Sequence, residues 1–456
     1  MKDLTVGNEG KLILSFTIPM LIGNVFQQLY NVVDSVIVGR YLGNEALAAV
    51  GASFPLIFTL IALIIGVSIG VTVVISQFYG AKNLVQVRKS IETMYIFLFI
   101  TSIVITVIGI FTSEYIFRLI DLPEDIIPQA VTFFNLYAGG FIFFFGFQGT
   151  TAILRGLGDS KTPLYFLVIS VLVNIVLDIV FIVKFGWGIE SVAIATVISQ
   201  AGAFITLIWY LHLTHPLLRF NFFSMRFDTA IFKKSIQIGI PTGLQQTFVA
   251  LGMLALYKVV NMFGTTIIAA YSVALRIDSF ASLPAMNFSA ALSSFVGQNI
   301  GANKQDRVKA GLVATLKMTA LISVSVTIIT WLFSRQIMMM FTTDAAVVDA
   351  GIHYLLIVST FYILFSTMFV YHGVLRGAGD TVIPMFITLF ALWVIRIPIS
   401  YMLSNWYGPI GIWWGIPFAW AIGASFSYLY YKSGKWRTKS VVKSKAGLEN
   451  QTNDKA

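Results

Sequence analysis

The segment RGLGDSKTP at residues 155–163 recurs as RGAGDTVIP at residues 376–384. One arginine, two glycines, one aspartate and one proline match at an offset of 221 residues. Two more segments match at the same offset: Gln77, Gly80 and Ala81 with Gln298, Gly301 and Ala302, and Gly43, Ala48 and Ala49 with Gly264, Ala269 and Ala270. Three segments in one register indicate an internal duplication.

The composition is far more apolar than that of a soluble protein. Of the 456 residues, 57% are hydrophobic and 11% are charged, and the mean hydropathy is +0.84. Soluble domains carry roughly 45–50% apolar and about 25% charged residues. A soluble enzyme, a disordered chain and a nucleic-acid-binding domain are therefore excluded. Cysteine is absent, which excludes disulfides, iron–sulfur clusters and thiolate metal sites, and the four histidines lack metal-ligand spacing.

Long apolar segments recur along the whole chain. A bilayer-spanning helix needs about 20 mostly apolar residues. Twelve segments meet this need, at residues 12–37, 47–75, 91–113, 131–153, 163–183, 191–211, 236–261, 268–296, 311–333, 352–375, 384–404 and 409–431. The first is too long for a signal-peptide core and lacks a small-residue cleavage site, so we expect a retained helix. The segments also lack the strict alternation of β-barrel strands.

The predicted fold is therefore an all-α polytopic membrane protein. It has twelve transmembrane helices in two six-helix lobes that are related by a parallel pseudo-two-fold repeat. We assign residues 1–214 to an N-lobe, 215–235 to a cytoplasmic linker, 236–431 to a C-lobe and 432–456 to a basic cytoplasmic tail. Two such bundles enclose a cleft that opens to either side when they rock, which is the geometry of alternating access.

Lysine and arginine are distributed unequally between alternate loops. With both termini on one side, that side collects 23 of the 30 basic residues and the other side collects 4. The remaining three, Lys258, Arg276 and Arg396, lie within apolar segments. Basic loops stay in the cytoplasm, so the pattern predicts cytoplasmic termini in the cytoplasmic (plasma) membrane. The net charge of +10 then matches an anionic lipid leaflet and does not indicate nucleic-acid binding.

The repeated loop motif contains the string Gly-x-Gly-Asp, which also occurs in intramembrane aspartyl proteases. Such a protease needs its aspartate within a helix, facing a second aspartate. Here Asp159 and Asp380 lie in loops, near Arg155 and Arg376. Proteolysis is therefore excluded, and no enzyme activity is expected. The glycines favour a helix C-cap with positive φ, and the arginine and aspartate are predicted to latch a gate or to hold the loop.

Ionisable side chains at membrane depth are candidates for function, because each costs roughly 2.5–3.5 kcal/mol or more. Asp34 continues a polar stripe on one helix face, formed by Gln27, Tyr30 and Asn31. Asn174 and Asp178 are four residues apart and share a face of the fifth segment, and the sixth offers Thr196 and Gln200. The equivalents of Asp34 and Asp178 in the second half are about Ala255 and about Ile399 or Ser400. Residues needed only for packing would be expected in both halves. The presence of these carboxylates in the first half alone therefore favours a functional role for them.

Two chemical roles fit these side chains. Two carboxylates with an amide and a hydroxyl oxygen form an oxygen-only cage for a hard cation such as Na⁺. Alternatively, burial and mutual repulsion make one carboxyl group a proton carrier. A structural alternative is that Asp178 only anchors Asn174 and nearby backbone. The predicted cation-coupling residues are Asp34, Asn174, Asp178 and Thr196, and no other metal or cofactor is expected. The predicted substrate-cavity residues are Gln27, Tyr30, Asn31, Tyr137, Gln200 and Asp278.

Asp278 lies at membrane depth in the second half. Arg276 is two residues away, and Lys258 and Arg396 lie in other apolar segments. One interpretation is a neutralising pair with one of these cations, and the other is a place in the substrate cavity. The role of the three cations stays open at this point.

The two six-helix halves, the early Pro19 and the repeated Arg155–Pro163 and Arg376–Pro384 motifs resemble the multidrug and toxic compound extrusion (MATE) family. The resemblance covers the chain up to the tail. It implies two lobes in a V around a cavity, and antiport of organic cations and drugs against Na⁺ or H⁺. In archaeal members and the DinF-like bacterial branch, an N-lobe cation site is formed by residues that match Asp34, Asn174, Asp178 and Thr196. Another branch uses acids on the seventh and tenth helices, where this chain has Gln245 and Gln246 and no acid.

The expected function is secondary active export of amphipathic or cationic compounds in exchange for H⁺ or Na⁺. The alternative is a flippase for a lipid-linked saccharide, but only three cations are candidates for binding its anionic headgroups. A non-transporting membrane scaffold or receptor is a third class, against which the one-sided carboxylates argue. The expected partners are small-molecule substrates and the lipid bilayer, without nucleic acid, and the resemblance implies a monomer.

Overall fold

The protein is built from helices. The computed structural model describes residues 1–219 and 224–442, apart from the side chain of Leu63, and these residues contain no strand. The α-helices α1 to α15, in chain order, are Glu9–Tyr41, Gly43–Gly80, Leu84–Leu119, Ile127–Gly139, Phe141–Gly156, Lys161–Ile179, Glu190–Thr214, Thr229–Asn261, Thr265–Gly301, Gln305–Met339, Ala345–Thr360, Tyr362–Ala378, Val382–Leu389, Ile397–Tyr407 and Pro409–Lys432. Two π-helical turns, Val180–Lys184 and Phe390–Arg396, continue α6 and α13, and short 3₁₀-helices lie at Pro216–Leu218 and Lys435–Lys439.

Within the described residues, twelve segments are long and apolar enough to cross a membrane when each bent helix pair counts as one span. Ten of them are helices without a sharp bend. The pair α4 and α5 is bent by 50°, and the pair α11 and α12 by 48°. The predicted all-α polytopic fold with twelve spans is thus confirmed. The structure differs from the prediction within segments 131–153 and 352–375, because each is divided into two helices, at Gly140 and at Phe361.

Polar caps explain where several helices begin. Asn83 Oδ1 accepts a hydrogen bond from the backbone of Gln86 at 3.2 Å at the start of α3. Asp344 Oδ1 accepts one from Ala346 at 2.9 Å at the start of α11. Such caps satisfy backbone N–H groups that have no partner within the helix. The loops between the spans therefore carry the residues that stop one helix and start the next.

The internal repeat is visible in the backbone as well as in the sequence. Gly43 and Gly264 have φ values of 87° and 84°, and Gly158 and Gly379 have 82° and 94°. The non-glycine pair Lys82 and Asn303 has φ values of 58° and 57°. Each pair is separated by the offset of 221 residues found in the sequence. The helix breaks at Gly140 and Phe361 have the same separation, so the two halves repeat their turns and their bends.

The glycine before each motif turn allows two helices to approach closely. A Cβ atom on Gly156 would lie 3.0 Å from the carbonyl oxygen of Thr72, and one on Gly377 would lie 2.5 Å from that of Ser293. Real Cβ atoms rarely come so near to a backbone oxygen. The repeated glycines therefore bring α5 against α2, and α12 against α9, in the same way.

The two aspartates of the repeated motif have different hydrogen-bond partners. Asp159 Oδ1 accepts hydrogen bonds from the backbone of Lys161 and Thr162, each at 3.0 Å, and so caps α6. Its other oxygen lies 3.9 Å from the N-terminal ammonium group of Met1. Asp380 accepts a hydrogen bond from the Tyr430 hydroxyl at 2.5 Å.

The arginines of the motif form no ion pair with these aspartates in the described chain. Arg155 and Arg376 each have a buried Nε atom without a hydrogen-bond partner among the described residues. Asp159 caps its own loop, and the two roles predicted for the motif, latching a gate or holding the loop, stay predictions.

The described chain divides into two compact units, with boundaries that differ from the predicted lobes. The first holds Met1–Lys2 and Ile18–Gly239, and the second holds Asp3–Thr17 and the described residues from Ile240 onward. The N-terminal segment joins the second unit because it bonds to the turn between α9 and α10. Leu4 N donates to Gln298 Oε1 at 2.9 Å, Lys304 Nζ to Thr5 O at 2.9 Å, and Arg307 pairs with Glu9 at 2.7 Å.

The predicted linker, residues 215–235, is partly helical, because α8 already begins at Thr229. Asp228 caps this helix by accepting hydrogen bonds from Ile231 and Ala230, each at 3.1 Å. These backbone donors, together with Lys89 at 3.6 Å, hold the pKa of the Asp228 carboxyl below its usual value. Residues 220–223 of the linker and 443–456 of the predicted tail lie outside the described residues.

Candidate functional site

The predicted cation-coupling residues come from three helices of the first unit. Asp34 lies on α1, Asn174 and Asp178 on α6, and Thr196 on α7. Helix α1 approaches α6 closely at Gly23, where a Cβ atom would lie 3.3 Å from the Leu167 side chain. Helices α6 and α7 pack along each other. The polar faces expected from spacing therefore belong to helices that are neighbours in the fold.

Asn174 joins α6 to α7 through its amide. In the amide orientation that satisfies both ends of the side chain, Nδ2 donates to Asp178 Oδ2 at 3.0 Å. The amide oxygen then accepts from the backbone N–H of Thr196 at 3.1 Å. Asn174, Asp178 and Thr196 are 2%, 0% and 7% exposed. Because these side chains are buried, each of the hydrogen bonds is costly to lose, so the three side chains form a fixed hydrogen-bonded cluster.

Tyr30 connects α1 to this hydrogen-bonded cluster. The Thr196 hydroxyl donates to Val192 O at 2.9 Å, so the Tyr30 hydroxyl is the donor in its 3.3 Å contact with Thr196 Oγ1. Tyr30 and Tyr137, which lies on α4, are both within electrostatic range of Asp34. Two predicted substrate-cavity tyrosines thus lie beside the predicted cation-coupling carboxyl.

The two aspartates lie close to each other. The carboxyl groups of Asp34 and Asp178 lie within hydrogen-bonding reach of each other. An ionised carboxylate only accepts hydrogen bonds, so a hydrogen bond between the two groups would need a proton on one of them. The Oδ1 atoms of both are buried and have no hydrogen-bond partner among the described residues. No ion pair with a lysine or arginine neutralises either aspartate in the described chain. The arrangement can therefore hold one small cation, which supplies the missing positive charge.

Helix α6 changes its winding directly after Asp178. The α-helix ends at Ile179, and the π-helical turn Val180–Lys184 follows immediately. A π-helical turn has poorer backbone geometry than an α-helix and occurs frequently at functional sites. Sequence reasoning did not predict this turn, because the segment reads as a continuous apolar helix.

The other predicted cavity residues of the first unit are less closely tied to this group. Gln27 is partly exposed and Asn31 is exposed on α1. Gln200 lies one turn after Thr196 on α7, and its Oε1 atom is buried without a partner among the described residues. The structure therefore gathers Asp34, Asp178, Asn174 and Thr196 with Tyr30 and Tyr137 beside them, and it does not draw Gln27 or Asn31 into the hydrogen bonds described above.

Asp278, in the second unit, does not form the predicted ion pair. The hydroxyl groups of Tyr354 and Tyr362 donate to its Oδ2 and Oδ1 atoms. Arg276 is exposed and lies two residues along the same helix, so it points away from Asp278, and Lys258 is also exposed. Arg396 is within electrostatic range of Asp278. Sequence reasoning missed the two tyrosines, because nothing distinguishes them among the 18 tyrosines of an aromatic-rich chain.

Known proteins are similar in sequence to this chain over nearly its full length. The probable multidrug resistance protein YpnP of Bacillus subtilis is 33% identical over 445 residues, which are 97% of this chain and 99% of that protein. The probable multidrug resistance protein YoeA of the same organism is 33% identical, over 94% of each chain. The probable multidrug resistance protein NorM of Thermotoga maritima is 25% identical over 95% of this chain and 94% of its own length.

Solved structures share the fold. A crystal structure described as MATE in the bent conformation matches with a TM-score of 0.90 and 24% identity, covering 96% of this chain and 98% of that chain. An outward-facing multidrug resistance MATE family transporter of the MOP superfamily matches with a TM-score of 0.89 and 24% identity, covering 95% and 98%.

A family model described as MatE matches twice, at residues 19–180 and at residues 241–402. Each match covers one of the two halves that the repeated motif defines, so the duplication is also confirmed by the comparison. Together with full-length relatives at 33% identity, these matches show that the chain belongs to the MatE (MATE) family of membrane transporters.

Proposed function

We propose that this protein is a secondary active exporter that moves amphipathic, often cationic compounds out of the cell in exchange for an inward cation, by alternating access. Support comes from the names of its relatives, which describe probable multidrug resistance proteins, and from the chemistry of the first unit. The observation that carries the proposal is that the carboxyl groups of Asp34 and Asp178 lie within hydrogen-bonding reach of each other. The relatives named above give no support to the alternative of a flippase for lipid-linked saccharides.

The proton is the coupling ion that this contact favours over Na⁺. A carboxyl pair in mutual hydrogen-bonding reach is complete when it shares one proton. An Na⁺ ion would need several oxygen ligands around it, with the two carboxylates separated by the ion. The amide nitrogen of Asn174 already donates a hydrogen bond to Asp178. The side of Asn174 that faces Asp178 is therefore a hydrogen-bond donor and does not act as a cation ligand.

Cation occupancy at this site can drive the transport cycle. With both carboxylates ionised, two negative charges would lie side by side in a buried region, and each proton that binds removes one of them. A two-state molecule shifts its equilibrium by the difference in binding free energy between its states. One positive charge that moves inward contributes roughly 2.3 kcal/mol per 100 mV of membrane potential. The protonated and deprotonated sites would thus favour opposite orientations of the transporter.

The protein would act as a monomer in the cytoplasmic membrane, with both termini in the cytoplasm and no cofactor besides the coupling ion. Its partners would be small-molecule substrates and the lipid bilayer. The excess of basic residues in alternate loops supports this orientation.

We expect Asp34→Asn and Asp178→Asn each to reduce export of a cationic dye to the level of cells without the protein. Asparagine keeps the size and much of the hydrogen bonding of aspartate, but it cannot bind or release a proton. Dye efflux is measured in cells that express each variant, with the amount of folded protein determined by fluorescence-detection size-exclusion chromatography. Asp125→Asn, the same change at an exposed loop position, is the matched control and keeps normal efflux. Normal efflux by either site variant would contradict the coupling role.

We expect a pH gradient that is acidic on the side of the membrane equivalent to the cell exterior to drive dye transport in proteoliposomes. An equal Na⁺ gradient should leave dye transport at the background rate. The physical reason is that the site needs a shared proton. The measurement is fluorescence of the dye after each gradient is applied separately, with vesicles that contain Asp34→Asn as the control. Transport driven by Na⁺ at constant pH would replace the proton with Na⁺ as the coupling ion.

We expect Val85→Cys to be protected from a membrane-impermeant maleimide in intact cells, and Asp125→Cys to be labelled. Val85 is 68% exposed in the first turn of α3, and Asp125 is exposed in the loop after this helix. The two positions lie at opposite ends of one span, and the chain has no native cysteine that would add background. Labelling after cell disruption controls for reactivity. The reverse pattern would place the termini outside.

A further inference from the structure

Helix α10, in the second unit, carries an open groove over its first turns. The groove has a volume of about 500 Å³, and the residues that line it all belong to this helix: Asp306, Lys309, Ala310, Val313, Ala314 and Lys317. Lys309, Val313 and Lys317 are spaced four residues apart, so they lie on one face of the helix. The two lysines are therefore about 12 Å apart along the helix axis, with an apolar side chain between them.

The two groove lysines have no partner within the described chain. Both are exposed, and neither forms an ion pair within 4.0 Å or a hydrogen bond with a described residue. Two other cations at the start of the helix are occupied by the N-terminal segment. Lys304 donates to the backbone oxygen of Thr5 at 2.9 Å, and Arg307 pairs with Glu9 at 2.7 Å. The positive charge of the groove is therefore left for a ligand.

One acid also lines the groove. Asp306 lies three residues before Lys309 and forms no ion pair within 4.0 Å in the described chain. It is at the end of the groove that is farther from Lys317, so the space between the two lysines is bordered by positive charge on both sides. The lining as a whole carries one positive charge in excess.

Beyond Lys317 the same face of α10 is apolar and exposed. Leu321, Val324 and Ile328 are 69%, 47% and 53% exposed. The helix has 35 residues and is therefore about 52 Å long, whereas the hydrocarbon core of a bilayer is about 30 Å thick. Its ends must extend into the headgroup regions. The change from lysine to apolar side chains along this face therefore indicates where a headgroup region meets the hydrocarbon.

The first unit lacks an equivalent of this groove. At the offset of 221 residues, Lys309 corresponds to Arg88, Val313 to Glu92 and Lys317 to Ile96. Arg88 pairs with Glu92 at 3.1 Å on α3. The first unit thus neutralises its cation with its own acid and has no second cation on this face, so the unpaired lysines are not a requirement of the repeated fold.

We propose that the α10 groove binds an anionic phospholipid. The lipid phosphate lies between Lys309 and Lys317, and the acyl chains run along the exposed apolar face from Leu321 to Ile328. A phosphate accepts charge-assisted hydrogen bonds from lysine, and acyl chains cover an apolar face that extends from the same cations. Anionic lipids are enriched in the cytoplasmic leaflet. The choice of leaflet rests on the proposed orientation of the transporter, whereas the binding itself does not.

The test is a lipid titration of the purified full-length protein, followed by native mass spectrometry. Phosphatidylglycerol carries a net negative charge, whereas phosphatidylcholine has the same phosphate and acyl chains but no net charge. The groove variant combines Lys309→Gln and Lys317→Gln. The matched control variant combines Lys161→Gln and Lys233→Gln, which removes two exposed lysines near the starts of α6 and α8.

We expect the groove variant to bind phosphatidylglycerol about tenfold more weakly than the wild-type chain, and phosphatidylcholine within about twofold of it. The reason is that the lysines act on the net charge of the lipid. The control variant changes neither affinity. An unchanged affinity of the groove variant for phosphatidylglycerol, or an equal loss in the control variant, would overturn the site.

The same spectra distinguish other occupants of the groove. Displacement of phosphatidylglycerol by inorganic phosphate at constant ionic strength would overturn the lipid as the ligand, because the lysines would then bind a free anion. A dimer mass that disappears in the groove variant without loss of lipid would assign the groove to a second copy of the chain and would also overturn the proposal. Wild-type binding of phosphatidylglycerol that resists inorganic phosphate supports it.

Discussion

Two aspartate side chains from different helices are brought into contact inside the first unit, and the account of this transporter depends on that contact. Asp34 on α1 and Asp178 on α6 lie within hydrogen-bonding reach of each other, and they could share a hydrogen bond only with a proton on one of them. Asn174 and Thr196 fix Asp178 from the side of α6 and α7. In the proposed mechanism, helix α1 is linked to its neighbours through a contact whose strength changes when a proton arrives or leaves.

The chain uses one scaffold twice and places different chemistry on each copy. Left-handed turns, close glycine approaches and bent helix pairs recur at the same offset in both halves. The aspartates Asp34 and Asp178 occur in the first half, whereas the second half has Asp278 with its two tyrosine partners. A repeated backbone fixes where the helices lie, and single substitutions on it give each half different polar side chains.

The number of spans and the duplication could be predicted because both depend on local sequence, namely apolar length and motif spacing. Spacing also placed Asn174 and Asp178 on one face, but bringing Asp34 to them required the family resemblance, since no pattern reports contacts between distant helices. The N-terminal segment Asp3–Thr17 could not be assigned to the second unit, because its hydrogen bonds to the α9–α10 turn join residues nearly 300 positions apart. The tyrosine partners of Asp278 were hidden for the same reason.

The most direct measurement of the central claim is infrared difference spectroscopy of the purified protein across a pH titration. A protonated carboxyl group absorbs separately from a carboxylate, so the technique detects a shared proton. The account predicts a protonated-carboxyl band at neutral pH that is present in the wild-type chain and lost in both Asp34→Asn and Asp178→Asn. A wild-type spectrum without this band, or a band that both variants retain unchanged, would contradict it.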